Sequence, residues 1–206
     1  MTSKLLNMGW VACLRGHRAS DALSLLRRAE RGGPQLSWPE PNLESYYVTM
    51  NALGRESARS ANVPVTSTEG WQSALELLEE LPERRLEATI RTFNTLASAC
   101  SRGHAWLQAS RLLSAAVEKG LSWDLFSYNI AIQVSHRSAE VGTSLQVLLR
   151  QMEQKDVEPN GVTSTTAIGA CERSQRWEMA LDFLRRLERS NGDQLGAMTC
   201  NAVMAA

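Results

Sequence analysis

The chain has 206 residues, of which 43% are apolar and 21% are charged, and this composition is typical of a folded chain with a core rather than of a disordered one. No stretch reaches the roughly 18 apolar residues of a membrane-spanning helix and the first residues do not read as a secretory leader, so we expect neither. The 22 basic and 22 acidic side chains cancel, which excludes a polycation that binds nucleic acid through total charge alone.

The basic side chains and the cysteines carry the next compositional signals. All but three of the lysine and arginine side chains are arginines, whose planar guanidinium group can donate two hydrogen bonds to one phosphate. The closest of the four cysteines stand at positions 171 and 200, so zinc or redox motifs of the CxxC type are absent and a reducing compartment fits best.

Self-similarity with a period of about 35 residues is the dominant pattern of the sequence. The same pattern, a hydroxyl residue, an aromatic residue and Asn, occurs in successive copies as Thr92-Phe93-Asn94 and Ser127-Tyr128-Asn129. The second copy is longer because a segment rich in Gly, Ser, Pro and Asn, predicted as a loop over about 54–70, interrupts it. We predict copies at residues 3–42, 43–89, 90–124, 125–160 and 161–196, and the start of a sixth at 197–206.

Each copy contains two helical patterns. In the third copy, apolar residues from Phe93 to Cys100 recur at spacings of three and four, Gly103 interrupts them, and the pattern resumes from Trp106. A hairpin of about 30 helical residues cannot enclose its own apolar face and must stack on its neighbours. We therefore predict an all-α fold, a right-handed α-solenoid of stacked helix-turn-helix repeats.

Several residue types recur at equivalent positions without indicating chemistry. We interpret the tryptophans of the second helices and the cysteines of the first helices as packing residues. We interpret Glu76, Glu79, Glu80 and Glu83 as a solvated helix face. His17 and His104 lie in distant copies and provide too few ligands for a metal site, so we expect no metal, no cofactor and no catalytic set. The recurring packing residues are Trp71, Trp106, Trp177, Cys13, Cys100 and Cys171.

The copies resemble the pentatricopeptide repeat of the plain 35-residue type. The resemblance rests on Tyr128-Asn129, on the Ala-Leu-x-x-Leu second helices and on the closing Glu158-Pro159-Asn160. The tetratricopeptide repeat fits less well, because its period is 34 and its Trp-Leu-Gly-Tyr pattern is absent. The resemblance implies binding of single-stranded RNA with one base per repeat, read by the fifth residue of the first helix and the last residue of the repeat.

Transferred to this sequence, the resemblance implies a base preference for most repeats. Tyr47 and Thr89 of the second repeat match no known pair, and the partner of Thr165 stays open between Leu195 and Gly196. Asn201, the fifth residue of the sixth copy, is implied to read a base as well. The implied pairs are Asn7 with Asn42 for a pyrimidine, Asn94 with Asp124 for uridine, Asn129 with Asn160 for a pyrimidine, and Thr165 for a purine.

The resemblance also assigns an apolar, base-stacking role to the second residue of each repeat. Phe126 and Val162 fit this role, whereas Lys4, Glu44 and Arg91 do not.

An arginine occupies the thirteenth place of all five copies. Two interpretations remain open: the side chain interacts with the last carbonyls of the first helix, or a row of guanidinium groups contacts the phosphates. We hypothesise phosphate contact. We call this set the arginine column; it comprises Arg15, Arg55, Arg102, Arg137 and Arg173.

The function expected from these features is that of an RNA-binding adaptor without enzymatic activity, acting in organellar RNA processing, stability or translation. The alternative is an α-solenoid scaffold for protein–protein interaction. We expect a monomer without membrane contact, with other RNA-processing proteins as further partners, in the mitochondrion or plastid by family expectation. The array begins at the first place of a repeat and ends inside a helix, so we expect it to be part of a longer array.

Overall fold

A computed structural model describes residues 19–31, 41–59, 69–135, 141–173 and 178 of the chain. These residues form eight α-helices and a short 3-10 helix, Pro82–Arg84, and include no β-strand. The all-α fold class predicted from the sequence is confirmed. The helices are α1 (Ala19–Arg31), α2 (Leu43–Arg59), α3 (Glu69–Glu80), α4 (Ile90–Arg102), α5 (Trp106–Glu118), α6 (Leu125–Ser135), α7 (Val141–Gln154) and α8 (Gly161–Arg173).

The chain divides into two compact units, one ending at Leu121 and the other beginning at Ser122. In the first unit, α2 packs against α3, its partner in the same hairpin, and against α4, the first helix of the next copy. In the second unit, α6 packs in the same way against α7 and α8. Each first helix thus buries its apolar face on two neighbours, as a stacked repeat requires.

The third copy shows how the sequence forms a hairpin. The predicted break lies where α4 ends: the Gly103 N–H donates to the Ala99 carbonyl at 2.9 Å, and His104 adopts a left-handed φ of 60°. Trp71 packs over this turn, since a Cβ on Gly103 would lie 2.6 Å from its Cδ1. The predicted packing role of Trp71 is therefore confirmed. Cys100, in the helix before the turn, is fully buried.

Helix α2 extends beyond its predicted end. The sequence indicated a loop from about residue 54, but the helix continues to Arg59. The reason is tertiary, because a Cβ on Gly54 would lie 2.7 Å from the Cβ of Ala99. Gly54 therefore allows α2 and α4 to approach closely, which offsets the cost of about 1 kcal/mol for a glycine inside a helix.

Polar contacts join α1, α2 and α3 in the first unit. Arg27 binds Glu80 through two hydrogen bonds of 2.6 Å, and the Tyr46 hydroxyl donates to Glu30 at 2.5 Å. Burial and the neighbouring Glu30 raise the pKa of Tyr46, so its hydroxyl remains a donor. Glu80 departs from the solvated face predicted for it, whereas the other three glutamates of that set are exposed.

The second unit has its own apolar core. Tyr128 and Ile132 of α6 pack with Leu145 and Met152 of α7, and Ile168 of α8 completes the contact. Cys171 is also buried there, as predicted for the cysteines of the first helices. Among the described helices, none is both long and apolar enough to cross a bilayer.

Candidate nucleic-acid interface

The last residue of a repeat caps the first helix of the next one. Asp124 precedes α6, and its Oδ1 accepts hydrogen bonds from the Ser127 backbone N–H at 2.8 Å and from the Ser127 hydroxyl at 2.9 Å. The Ser127 Oγ accepts in return from the Asp124 N–H at 3.3 Å. This reciprocal arrangement satisfies N–H groups that have no partner within the helix.

The same cap precedes α2 and α8. Asn42 Oδ1 accepts from the Ser45 N–H and hydroxyl, both at 3.0 Å, and Asn160 Oδ1 accepts from the Thr163 N–H at 3.0 Å and hydroxyl at 3.1 Å. Both asparagines are exposed. The cap uses only Oδ1, so the two N–H donors on each Nδ2 are not part of it.

This capping role was not predicted. The sequence predicts Asn42, Asp124 and Asn160 as base-reading residues and indicates no role for the hydroxyl three positions later. The signal was present, since an Asn or Asp followed at that distance by Ser or Thr is a helix-start pattern. Thr89 caps α4 with a longer contact: its backbone N–H donates to the Thr92 Oγ1 at 3.4 Å.

The fifth residues of the repeats occupy different environments. Asn94 is only 2% exposed. Asn129 is half-buried, and its Oδ1 is buried without a hydrogen-bond partner among the described residues. Thr165 is exposed, and its hydroxyl donates to the Gly161 carbonyl at 2.8 Å. Of these three, Asn129 alone combines partial exposure with a buried carboxamide oxygen lacking a partner.

The two residues predicted to stack on bases are both on the surface of the second unit. Phe126 is 53% exposed and Val162 is 61% exposed. Phe126 lies three residues before Asn129 on α6, and Val162 lies three residues before Thr165 on α8. Side chains at this spacing are neighbours on a helix surface. Each predicted stacking residue is therefore beside a predicted base-reading residue.

The arginine column does not behave uniformly. The Arg102 Nε donates to the Gly54 carbonyl at 3.2 Å, and its Nη1 donates to the Ser98 hydroxyl at 2.6 Å. Burial, together with the charge of Arg55, lowers the pKa of Arg102. Arg55 is exposed. Arg102 thus contacts a carbonyl of the preceding repeat, which supports a structural role at that position.

The remaining predicted residues give no side-chain geometry. Asn7, Asn201, Arg15 and Arg137 lie outside the described residues, and Arg173 lies in α8 without a described side chain. The described residues contain no group of three or more His, Cys, Asp or Glu side chains that could hold a metal ion.

Sequence comparison finds relatives among plant proteins. The family model described as PPR repeat matches residues 162–192. The chain is 29% identical over 155 residues to pentatricopeptide repeat-containing protein 10, chloroplastic, of Zea mays, a match that covers 74% of this chain and 17% of the maize protein. A chloroplastic pentatricopeptide repeat-containing protein of Arabidopsis thaliana is 26% identical over 141 residues, covering 68% of this chain and 16% of the relative. The chain therefore spans under a fifth of the length of either relative.

Solved structures show the same fold. The crystal structure of the pentatricopeptide repeat protein PPR10 from maize superposes with a TM-score of 0.68 at 26% identity, covering 97% of this chain and 26% of that one. The PPR domain of Arabidopsis thaliana protein-only RNase P 1, solved in complex with tRNA, gives 0.71 at 16% identity over 98% of this chain and 96% of that domain. PPR10 in complex with an 18-nt psaJ RNA element superposes with a TM-score of 0.64 at 24% identity, covering 99% of this chain and 29% of that one. The last two likenesses concern the fold alone.

Proposed function

The chain is a pentatricopeptide repeat protein, and we propose that it binds single-stranded RNA, reading one base per repeat and catalysing no reaction. Maize PPR10, whose crystal structure is 26% identical to this chain, has also been solved in complex with an 18-nt psaJ RNA element, which supports this proposal. Recognition of single strands suits a repeat of this kind, because unstacked bases expose both their hydrogen-bonding edges and their faces.

The observation that carries the proposal is the environment of Asn129. A buried acceptor without a partner costs about 1–3 kcal/mol, so its Oδ1 favours any ligand that brings an N–H group. Uracil offers N3–H and cytosine offers its N4 amino group. We propose that the half-buried Asn129 carboxamide turns toward the strand on binding, so that a pyrimidine donates to this oxygen and the cost of the unsatisfied acceptor is removed.

Two further contacts complete the fourth repeat. Phe126 and Val162 provide apolar surface for the faces of the base, and stacking on an aromatic side chain contributes about 1–3 kcal/mol per base. Asn160 donates through Nδ2 to a base carbonyl while its Oδ1 caps α8. One residue thus holds the helix start and contacts the base, and the two roles use different atoms.

We propose an adaptor role in organellar RNA processing, stability or translation, together with other RNA-processing proteins. The chloroplastic names of the relatives support a plastid, and the mitochondrion is the alternative organelle. The pairs of the other repeats, among them Asn94 with Asp124, remain predictions.

The test compares two substitutions in the fourth repeat. Asn129→Ala removes the acceptor, and Asn160→Ser keeps a capping oxygen but removes the amide donors. We expect each to weaken binding of oligouridine or oligocytidine about tenfold, or about 1.4 kcal/mol, with little change in melting temperature. Fluorescence anisotropy measures the affinity.

The matched control is Asn42→Ser, which makes the same change at a cap in the other unit and shows what a generic cap substitution does to folding. Wild-type affinity in both fourth-repeat variants, or no binding of single-stranded RNA by the chain, would contradict the proposal.

A further inference from the structure

Three charged or aromatic side chains of the first unit are joined at the beginnings of α2 and α4. The guanidinium carbon of Arg91 lies 3.7 Å from the centroid of the Tyr47 ring, and its Nη1 lies 3.4 Å from Glu44 Oε2. We call Glu44, Tyr47 and Arg91 the clasp. It connects the second repeat to the third.

The clasp occupies the places that face a base in the proposed function. Glu44 and Arg91 are the second residues of successive repeats, and Tyr47 is the fifth residue between them in sequence. The corresponding second-place residues of the second unit, Phe126 and Val162, are apolar and more than half exposed. In the first unit the two second-place side chains instead form an ion pair with each other.

The distances leave no space for a base inside the clasp. Atoms in van der Waals contact are about 3.5–4.0 Å apart, so a base between the Tyr47 ring and the guanidinium would require roughly twice the observed 3.7 Å. The guanidinium already covers that face of the ring as a cation–π partner. A base could enter only after Arg91 had left both Tyr47 and Glu44.

Charge also favours the closed arrangement. Glu44 lies in the first turn of α2, where the helix dipole stabilises a carboxylate. Releasing Arg91 would leave this carboxylate unpaired beside an incoming phosphate backbone, and like charges repel. The ion pair is exposed, so its own strength is modest. The cation–π contact, the ion pair and the repulsion between Glu44 and phosphate nevertheless all favour the closed clasp.

We propose that the clasp excludes a base from the second repeat, so that the RNA strand passes this repeat unread. The inference rests on the proposed function, since it assumes that RNA follows the repeats. Tyr47 and Arg91 are then specificity-determining residues that act by occupying the site themselves. Base selectivity comes from the repeats on either side.

The experiment gives the second repeat the residues of the fourth. The variant carries Glu44→Phe, Tyr47→Asn, Thr89→Asn and Arg91→Val, and selection from a pool of random single-stranded RNA measures its base preference. The nucleotide whose preference Asn129 controls serves as the reference, and the variant is compared with the wild type at the nucleotides that the wild type leaves unselected. We expect a new pyrimidine preference there and about tenfold tighter binding, equal to about 1.4 kcal/mol.

Two controls separate the clasp from the pairing residues and from misfolding. A variant with only Tyr47→Asn and Thr89→Asn keeps the Glu44–Arg91 pair, and we expect it to gain no preference. If the fourfold variant melts early, Arg91→Val alone replaces it, because this single change already opens the clasp. We expect Arg91→Val to tighten binding severalfold.

Selection with the wild-type chain distinguishes the remaining outcomes. A strong base preference opposite the second repeat that Tyr47→Ala abolishes would overturn the clasp while leaving RNA binding intact. Absence of RNA binding in the wild type would overturn the proposed function and the clasp together.

Discussion

Equivalent positions in successive repeats do not have equivalent chemistry, because the neighbouring repeat sets the burial of each side chain. Asn94 and Asn129 stand at the same place, yet Asn94 is 2% exposed while Asn129 is half-buried, with an oxygen that has no partner among the described residues. Cys100 illustrates the same effect for a titratable group. Burial raises the pKa of its thiol to about 12, since the thiolate would lose its hydration.

The raised pKa of Cys100 predicts a loss of stability at high pH. The thiol is protonated in both states below its ordinary pKa of 9.0, and above that value the unfolded chain ionises while the folded chain does not until about pH 12. The free energy of unfolding therefore falls through this window, by at most about 1.4 kcal/mol per pH unit from this group. Urea unfolding of the wild type and Cys100→Ala between pH 8 and 11 should show a shallower decline for the variant. Parallel curves would show that Cys100 does not titrate as its burial implies.

Contacts between first helices set the spacing of the repeats. In the first unit, α2 and α4 approach so closely at Gly54 that a side chain there would meet Ala99. Arg102 adds a hydrogen bond to the Gly54 carbonyl at the same crossing. A small residue on one helix and a long polar one on the other together hold the crossing in place.

Gly54→Ala should destabilise the protein although alanine is the better helix former. The new Cβ would lie 2.7 Å from the Ala99 Cβ, and overpacking of this kind costs about 1–3 kcal/mol, more than the gain in helix propensity. Thermal unfolding followed by circular dichroism measures the change. Gly161→Ala is the matched control, because nothing lies within 4 Å of its added Cβ, and it should leave stability unchanged or raise it by up to about 1 kcal/mol. A melting temperature of Gly54→Ala at or above that of the wild type would refute the close-approach argument.

At the scale of the whole molecule, 22 basic and 22 acidic side chains balance, so any salt dependence of RNA binding must arise from local groups. The described arginines of the column differ in this respect. Arg55 is exposed, whereas Arg102 is bonded to Gly54 and Ser98. Of the two described positions, Arg102 contacts a carbonyl, and phosphate contact remains a prediction that suits the exposed Arg55 better.

Arg55→Ala and Arg102→Ala should separate these roles. Losing one phosphate contact reduces the slope of log affinity against log salt concentration by about 0.7 for a single strand, which we expect for Arg55→Ala with unchanged stability. Arg102→Ala should keep the wild-type slope and lower the free energy of unfolding by about 1.5–3 kcal/mol, because it removes hydrogen bonds from a charged donor. Salt titrations of RNA affinity and urea unfolding measure the two quantities. A reduced slope without loss of stability in Arg102→Ala would assign Arg102 to phosphate.

The sequence by itself determined the all-α repeat, the hairpin break at Gly103 and the buried places of Cys100 and Cys171, because helical periodicity and turn residues act over a few neighbouring positions. Tertiary structure alone decided that α2 continues past Gly54, that Arg102 contacts the preceding repeat and that Arg91 covers Tyr47. Each of these depends on a backbone or side-chain group about 45 residues away along the chain, roughly one interrupted repeat, and periodicity holds no information about such a partner. The capping role of Asn160 lies between the two cases, since its pattern is local but only the structure shows that Oδ1 alone takes part in the cap.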